Sequence, residues 1–203
     1  LRIILLLVFT AAICSSIFSQ KITNEGTEFW FAYPEVWDKA SAVYEVHITS
    51  KSYATGTVEV PNAGFITPFT LNPGDLQIIT LPSLNMWNSY NGVIRNDKAV
   101  HITTDTPVSV FAYTVHLYRN EASLVLPNRA LGSKYYVSSK PTETNTNMGE
   151  FVIVGTSNST TINITCPTDI PSVCTANSTY SITLDSGDVY QVKATIIGSD
   201  LTG

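Results

Sequence analysis

The 203-residue chain carries 11 Lys and Arg against 16 Asp and Glu, a formal net charge of −5, and only 13% of its residues are charged. Acidic, with its lysines scattered, it offers no basic stripe for phosphates, which argues against a nucleic-acid partner. Its abundance of Thr, Ser, Val and Ile suits pleated, half-buried sheets rather than solvated helices.

The first twenty residues, "LRIILLLVFTAAICSSIFSQ", place one arginine before an apolar run from Ile3 to Ile13 and end in small and polar residues. The run is too short to span a bilayer and reads as a secretory signal peptide over residues 1–20, with Lys21 the approximate mature start. Ile13 before Cys14 fits lipid attachment poorly. Without an initiator methionine, this end is expected to be that of a fragment. Removing the leader takes away Arg2 alone and moves the formal charge to −6.

Beyond the leader, period-two alternation with turn residues every eight to twelve positions predicts strands at 28–33, 43–50, 56–61, 65–71, 75–81, 98–103, 108–116 and 121–126. A second series is predicted at 134–139, 150–155, 160–165, 179–184 and 188–195. Asp105-Thr106-Pro107 is read as a break between two strands. The second series repeats the first. "TLNPGD" (Thr70–Asp75) returns as "TLDSGD" (Thr183–Asp188), each with glycine third in the turn, where a positive φ is cheap. "GTEFWFAYP" from Gly26 returns as "GSKYYVSSKP" from Gly132. "YEVHITSKS" (Tyr44–Ser52) aligns with "EFVIVGTSN" (Glu150–Asn158), and "GTVEVP" (Gly56–Pro61) with "TINIT" (Thr161–Thr165). The offset grows from 106 residues (132 − 26) to 113 (187 − 74), the extra length falling in the loop "CPTDIPSVC".

These features predict an all-β chain of tandem antiparallel β-sandwich repeats, immunoglobulin-like or jelly-roll-like in architecture. The first is expected over 21–131 and the second over 132–203. Gly203 falls opposite Gly92, so the second copy is expected to be incomplete and the natural protein to continue with a further pair of strands, since a sandwich lacking them exposes unpaired edges. Cys166 and Cys174 bracket one short loop of an exported chain and are expected to form a disulfide.

Chemistry-bearing spacings are sparse. No HxH, HExxH or G-x-S-x-G occurs, and His47 and His101 fall on the solvent side of their strands, so no metal, cofactor or catalytic residue is assigned. Glu28 and Glu35 are weighed as a glycosidase pair, with solvated surface the favoured reading. Trp30, Tyr33 and Trp37 are candidate ligand-stacking aromatics, weighed against closure of the core by an aromatic first strand. Sequons occur at Asn158, Asn163 and Asn177, in hairpin loops or at outward strand positions.

"GTEFWFAYPE", "VEVPNAGF", "TLNPGDLQIITLP", "NDKAVHITTDTPVSVFAY" and "LVLPNRALGSKYYV", taken in order, resemble the IgGFc-binding protein N-terminal domain family. The resemblance runs from Gly26 to Gly203 and is most specific from Lys98 to Tyr136. It implies a noncatalytic, secreted or cell-surface binding or adhesion module, and the leader's ending "SIFSQ" points to a bacterial source. The expected partner is an extracellular glycoprotein or polysaccharide, met by loops held on rigid sheets. The alternatives are a carbohydrate-active enzyme or its accessory sandwich, and a structural spacer of a surface protein.

Overall fold

A computed structural model describes residues 23–36, 41–82, 86–117, 119–144 and 147–203. The expected leader and Trp37 lie outside these residues. The described part is all β, with antiparallel strand pairing throughout the ladders and one short 3-10 turn at Asn128–Ala130.

The strands are β1 (Gly26–Phe31), β2 (Val43–Thr49), β3 (Ala54–Val60), β4 (Phe65–Leu71), β5 (Leu76–Thr80), β6 (Ile94–Arg95), β7 (Val100–Val115), β8 (Asn120–Val125), β9 (Glu150–Val154), β10 (Thr160–Thr165), β11 (Thr179–Leu184) and β12 (Val189–Lys193). Twelve of the thirteen expected strands have counterparts. Two expected strands have merged, one is missing, and the short β6 was not foreseen.

The merger is β7. Its first half pairs with β1 and β3, and its second half with β2 and β8. It therefore belongs to two leaves, β4-β3-β7-β1 and β5-β2-β7-β8, which close on one core. Asp105-Thr106-Pro107 crosses between them instead of ending a strand. Pro107 has no N–H to give a ladder, and it falls where β7 has left β3 after Thr104 and has not yet met β2 at Ser109. The crossing is held by side chains. Asp105 accepts from the Thr55 backbone N–H and hydroxyl, both at 2.8 Å, and the Thr104 hydroxyl donates to Thr106 O at 2.8 Å. Inward residues keep one parity along the whole strand, so Val100, Ile102, Val108 and Val110 are all fully buried. They pack with Phe29, Tyr44, Val46, Ile48, Val58 and Leu71.

A second core lies under β9–β12, formed by Ile164, Cys166, Ile170, Leu184, Tyr190, Val192, Ala194 and Leu201. Here β10 pairs with β11, and β12 pairs with β9 on one side and with β6 on the other. β6 comes from the first half of the chain, so the sheet of the second half is completed across the expected boundary at 131/132. The segment 134–139 is not a strand. A strand needs a neighbour, and among the described residues the backbone of this one exchanges a pair of main-chain bonds only at Val137 with Gly203, at 2.9 and 3.1 Å, while Ser139 meets just the Thr202 hydroxyl, at 3.1 and 3.2 Å.

The two glycine–aspartate turns close in the same way. Gly74 and Gly187 both have φ of +85°. The Gly74 N–H donates to Ser50 O at 2.8 Å, and that of Gly187 to Gly155 O at 2.9 Å. The following aspartate turns back each time: Asp75 Oδ2 accepts from the Asn72 N–H at 3.0 Å, and Asp188 Oδ2 from the Asp185 N–H at 2.9 Å.

Candidate functional site

Alternation in β1, β3 and β7 turns Glu28, Trp30, Thr57, Glu59, His101 and Thr103 to the outside of the β4-β3-β7-β1 leaf. The register sets Trp30 beside His101, His101 beside Glu59, and Thr103 between Glu28 and Thr57. The Trp30 ring lies on the His101 ring with centroids 3.8 Å apart and planes within 12°. His101 Nδ1 is 2.7 Å from Glu59 Oε1, and its Nε2 is 3.4 Å from Glu28 Oε1. The indole N–H donates to the same Glu28 oxygen at 3.4 Å. Thr57 and Thr103 share a hydroxyl bond of 3.1 Å.

Next to this set runs a groove of about 500 Å³ along β3, β4 and β7, edged by Thr55, Thr57, Thr70, Thr104 and Asp105. Gly56 forms its floor. A Cβ there would stand 2.4 Å from Thr103 O and 2.8 Å from the Phe69 ring, so only glycine lets β3 lie this close to its neighbours. The turn at Gly187 abuts the Trp30 ring. A Cβ on Gly187 would come within 4 Å of only two ring atoms, Cζ3 at 3.3 Å and the neighbouring Cη2 at 3.5 Å, which makes this an edge contact.

Of the expected stacking aromatics, Trp30 and Tyr33 do not share a face, and Trp37 lies outside the described residues. Trp30 is half-buried on the outer face. Tyr33 is 4% exposed, its ring edge-on to Tyr44 with centroids 4.7 Å apart and its hydroxyl donating to Glu45 O at 2.9 Å. Burial pushes its phenol far above the ordinary range, so Tyr33 is a neutral core residue. Glu28 and Glu35 are separated in role as well: Glu35 turns to the junction between the cores, where its carboxylate meets Lys193 Nζ. His101 and His47 both face outward as expected, but neither stands alone. His47 stacks on Tyr113 at 3.9 Å and bonds to Glu45 at 2.8 Å. Alternation revealed the face of His101. The stack with Trp30 was hidden, because the pair depends on which residue of β7 meets β1.

The other assigned residues lie on the β10–β11 half. Cys166 and Cys174 are disulfide-bonded. Asn158, Asn163 and Asn177 are all exposed; Asn158 Oδ1 accepts from the Ser186 N–H at 3.0 Å and Asn163 Oδ1 from the Ser181 hydroxyl at 2.6 Å.

Residues 121–203 match the family described as IgGFc binding protein. The match covers β8 to β12, the disulfide, the sequons and Lys193. Much of the resemblance read from the sequence, from Gly26 onward, lies ahead of it, as does the Trp30 face. The description is that of a binding protein and not of an enzyme. No curated protein and no solved structure matches the chain. Among the described residues, no helix is long and apolar enough to cross a membrane.

Proposed function

We propose that this chain is a noncatalytic extracellular binding module whose ligand is a glycan, presented by a glycoprotein or a polysaccharide. The reading rests on the Trp30–His101 stack flanked by Glu28 and Glu59. An indole steadied on one face by the His101 ring offers its other face to the C–H face of a sugar ring. The carboxylates and the hydroxyls of Thr57 and Thr103 offer acceptors and donors for its hydroxyl groups. The adjoining groove at Gly56 would take the next sugar of a chain. Two observations support the extracellular part, the family match and the disulfide, and the leader expected from the sequence over residues 1–20 would agree with them.

A glycan array followed by calorimetry on the best hit tests this. Trp30→Ala should weaken binding at least tenfold, about 1.4 kcal/mol, while the far-ultraviolet spectrum stays unchanged. A chain that retains no glycan, or a Trp30→Ala variant that binds as well as the parent, overturns the proposal. Turnover of the retained glycan would favour the carbohydrate-active alternative.

A further inference from the structure

We propose that the second half of the chain carries an acceptor site for one more β-strand, a partner segment with the chemistry of β7, running antiparallel along the open edges of β9 and β10. Pairing in the two halves corresponds residue by residue. Ala54 faces Leu71 in β3–β4, and Thr160 faces Leu184 in β10–β11, displaced by 106 (160 − 54) and 113 (184 − 71) positions. Thr49 faces Leu76 in β2–β5, and Val154 faces Val189 in β9–β12, displaced by 105 (154 − 49) and 113 (189 − 76). The glycine–aspartate turns that follow carry the same bonds.

In the first half, β3 and β2 each use their second edge to bind β7, which crosses from one leaf to the other. In the second half, among the described residues, β10 pairs only with β11, and β9 only with β12. Three separate features converge on the place of the missing neighbour. Phe151 and Ile153 are only partly buried, whereas Val46 and Ile48, at the corresponding positions, are fully covered in the core that Val108 and Val110 complete. The segment 134–139 is no strand, whereas its counterpart β1 is held by β7. Tyr135, placed like the fully buried Phe29, is 65% exposed, and Tyr136 is 76% exposed. A strand laid there would extend two existing sheets, give 134–139 a partner and close the second core.

The occupant is thereby described: about sixteen residues, β-branched and apolar at alternate positions, with a proline-compatible crossing in the middle. Exposed ladders of this kind recruit strands by main-chain bonding, with side-chain alternation setting the register.

A synthetic peptide spanning Lys98–His116, added to the intact chain, tests the site by calorimetry and amide hydrogen exchange. The expected result is a 1:1 complex in which amides of β9 and β10 exchange about tenfold more slowly, or slower still. The same peptide with Val108→Asp and Val110→Asp should give no protection. No binding, protection at the β5 or β8 edges instead, or equal protection by the doubly substituted peptide overturns the proposal. So does self-association that protects β9 and β10 without peptide, because a second copy would then be the occupant.

Discussion

Gly74 and Gly187 share a φ that L side chains rarely adopt, yet their surroundings differ. Nothing stands within 4 Å of a Cβ at Gly74, whereas one at Gly187 meets the Trp30 ring. Gly74→Ala should therefore cost about 1–2 kcal/mol from backbone strain alone. Gly187→Ala should cost more and blue-shift or quench the Trp30 fluorescence. Urea titrations of both variants check this, and equal costs would mean that the turn merely lies near the ring. Asp105, Asp97 and Asp200 contribute to the acid response. The Thr55 N–H and hydroxyl hold the Asp105 carboxyl below its ordinary range, and the Arg95 guanidinium does the same for Asp97. A carboxyl depressed by folding contributes stability above its unfolded value and loses it as pH falls through the folded one. The urea midpoint should thus stay level from pH 7 to about 5 and fall below about 4. Asp105→Asn should start lower at neutral pH and descend less steeply.

Among the elements, β7 and the disulfide loop carry the clearest consequences. Val110 is fully buried where β7 joins β2, and Val110→Ala should cost about 2–3 kcal/mol in denaturant, whereas Ser109→Ala, one residue away and facing outward, should cost little. In the loop 167–173, Ile170 is buried against the second core, so the loop has an anchor of its own beside the sulfur bridge. Chain entropy for so small a ring predicts a loss of about 2.5 kcal/mol on reduction. Reducing the protein should lower the stability of the second core by that amount without unfolding it, as read from exchange of the β10 and β11 amides.

At the scale of the molecule, the two cores meet across a polar junction. Lys193 Nζ binds the Glu35 carboxylate and donates to Ser89 O at 2.9 Å, while Asn91 exchanges two bonds with the Lys193 backbone, at 2.8 and 3.2 Å. The Gly92 N–H donates to Gln191 O at 2.9 Å, and β6 continues the pairing. The Lys193 side chain is 10% exposed, so Glu35→Gln leaves a cation largely cut off from water and should cost about 2–4 kcal/mol, less than a fully buried pair would. Adding Lys193→Met should restore part of it, and a double-mutant cycle should give a coupling above about 1 kcal/mol. Additive costs would mean that the ion pair does not tie the halves.

Strand positions were legible wherever one face is buried, because alternation is the local imprint of burial. Val43–Thr49 and Thr160–Thr165 lie within a residue of expectation. Asp105-Thr106-Pro107 misled, since a proline in a continuous strand is readable only when the strand's partners are known. Residues 134–139 misled in the opposite sense: Tyr135, Tyr136 and Val137 favour a strand, but propensity supplies no neighbour. Of the site, the outward face of His101 was legible from its own strand, and Cys166 with Cys174 from the short loop between them. For Tyr33 the sequence left ligand stacking and core closure both open, and its contacts with the neighbouring Phe31 and the distant Tyr44 place it in the core.

By itself, then, the amino-acid order determined the β class, most strand positions, the form of both glycine–aspartate turns and the cysteine pair, all of which are set by contacts between residues close along the chain. Only the tertiary structure decided that β7 serves two leaves, that β6 crosses to the second core, that Lys193 meets Glu35, and that Trp30 lies on His101. Each of these joins residues distant in sequence, and a pattern of burial says that a side chain is covered without saying by what.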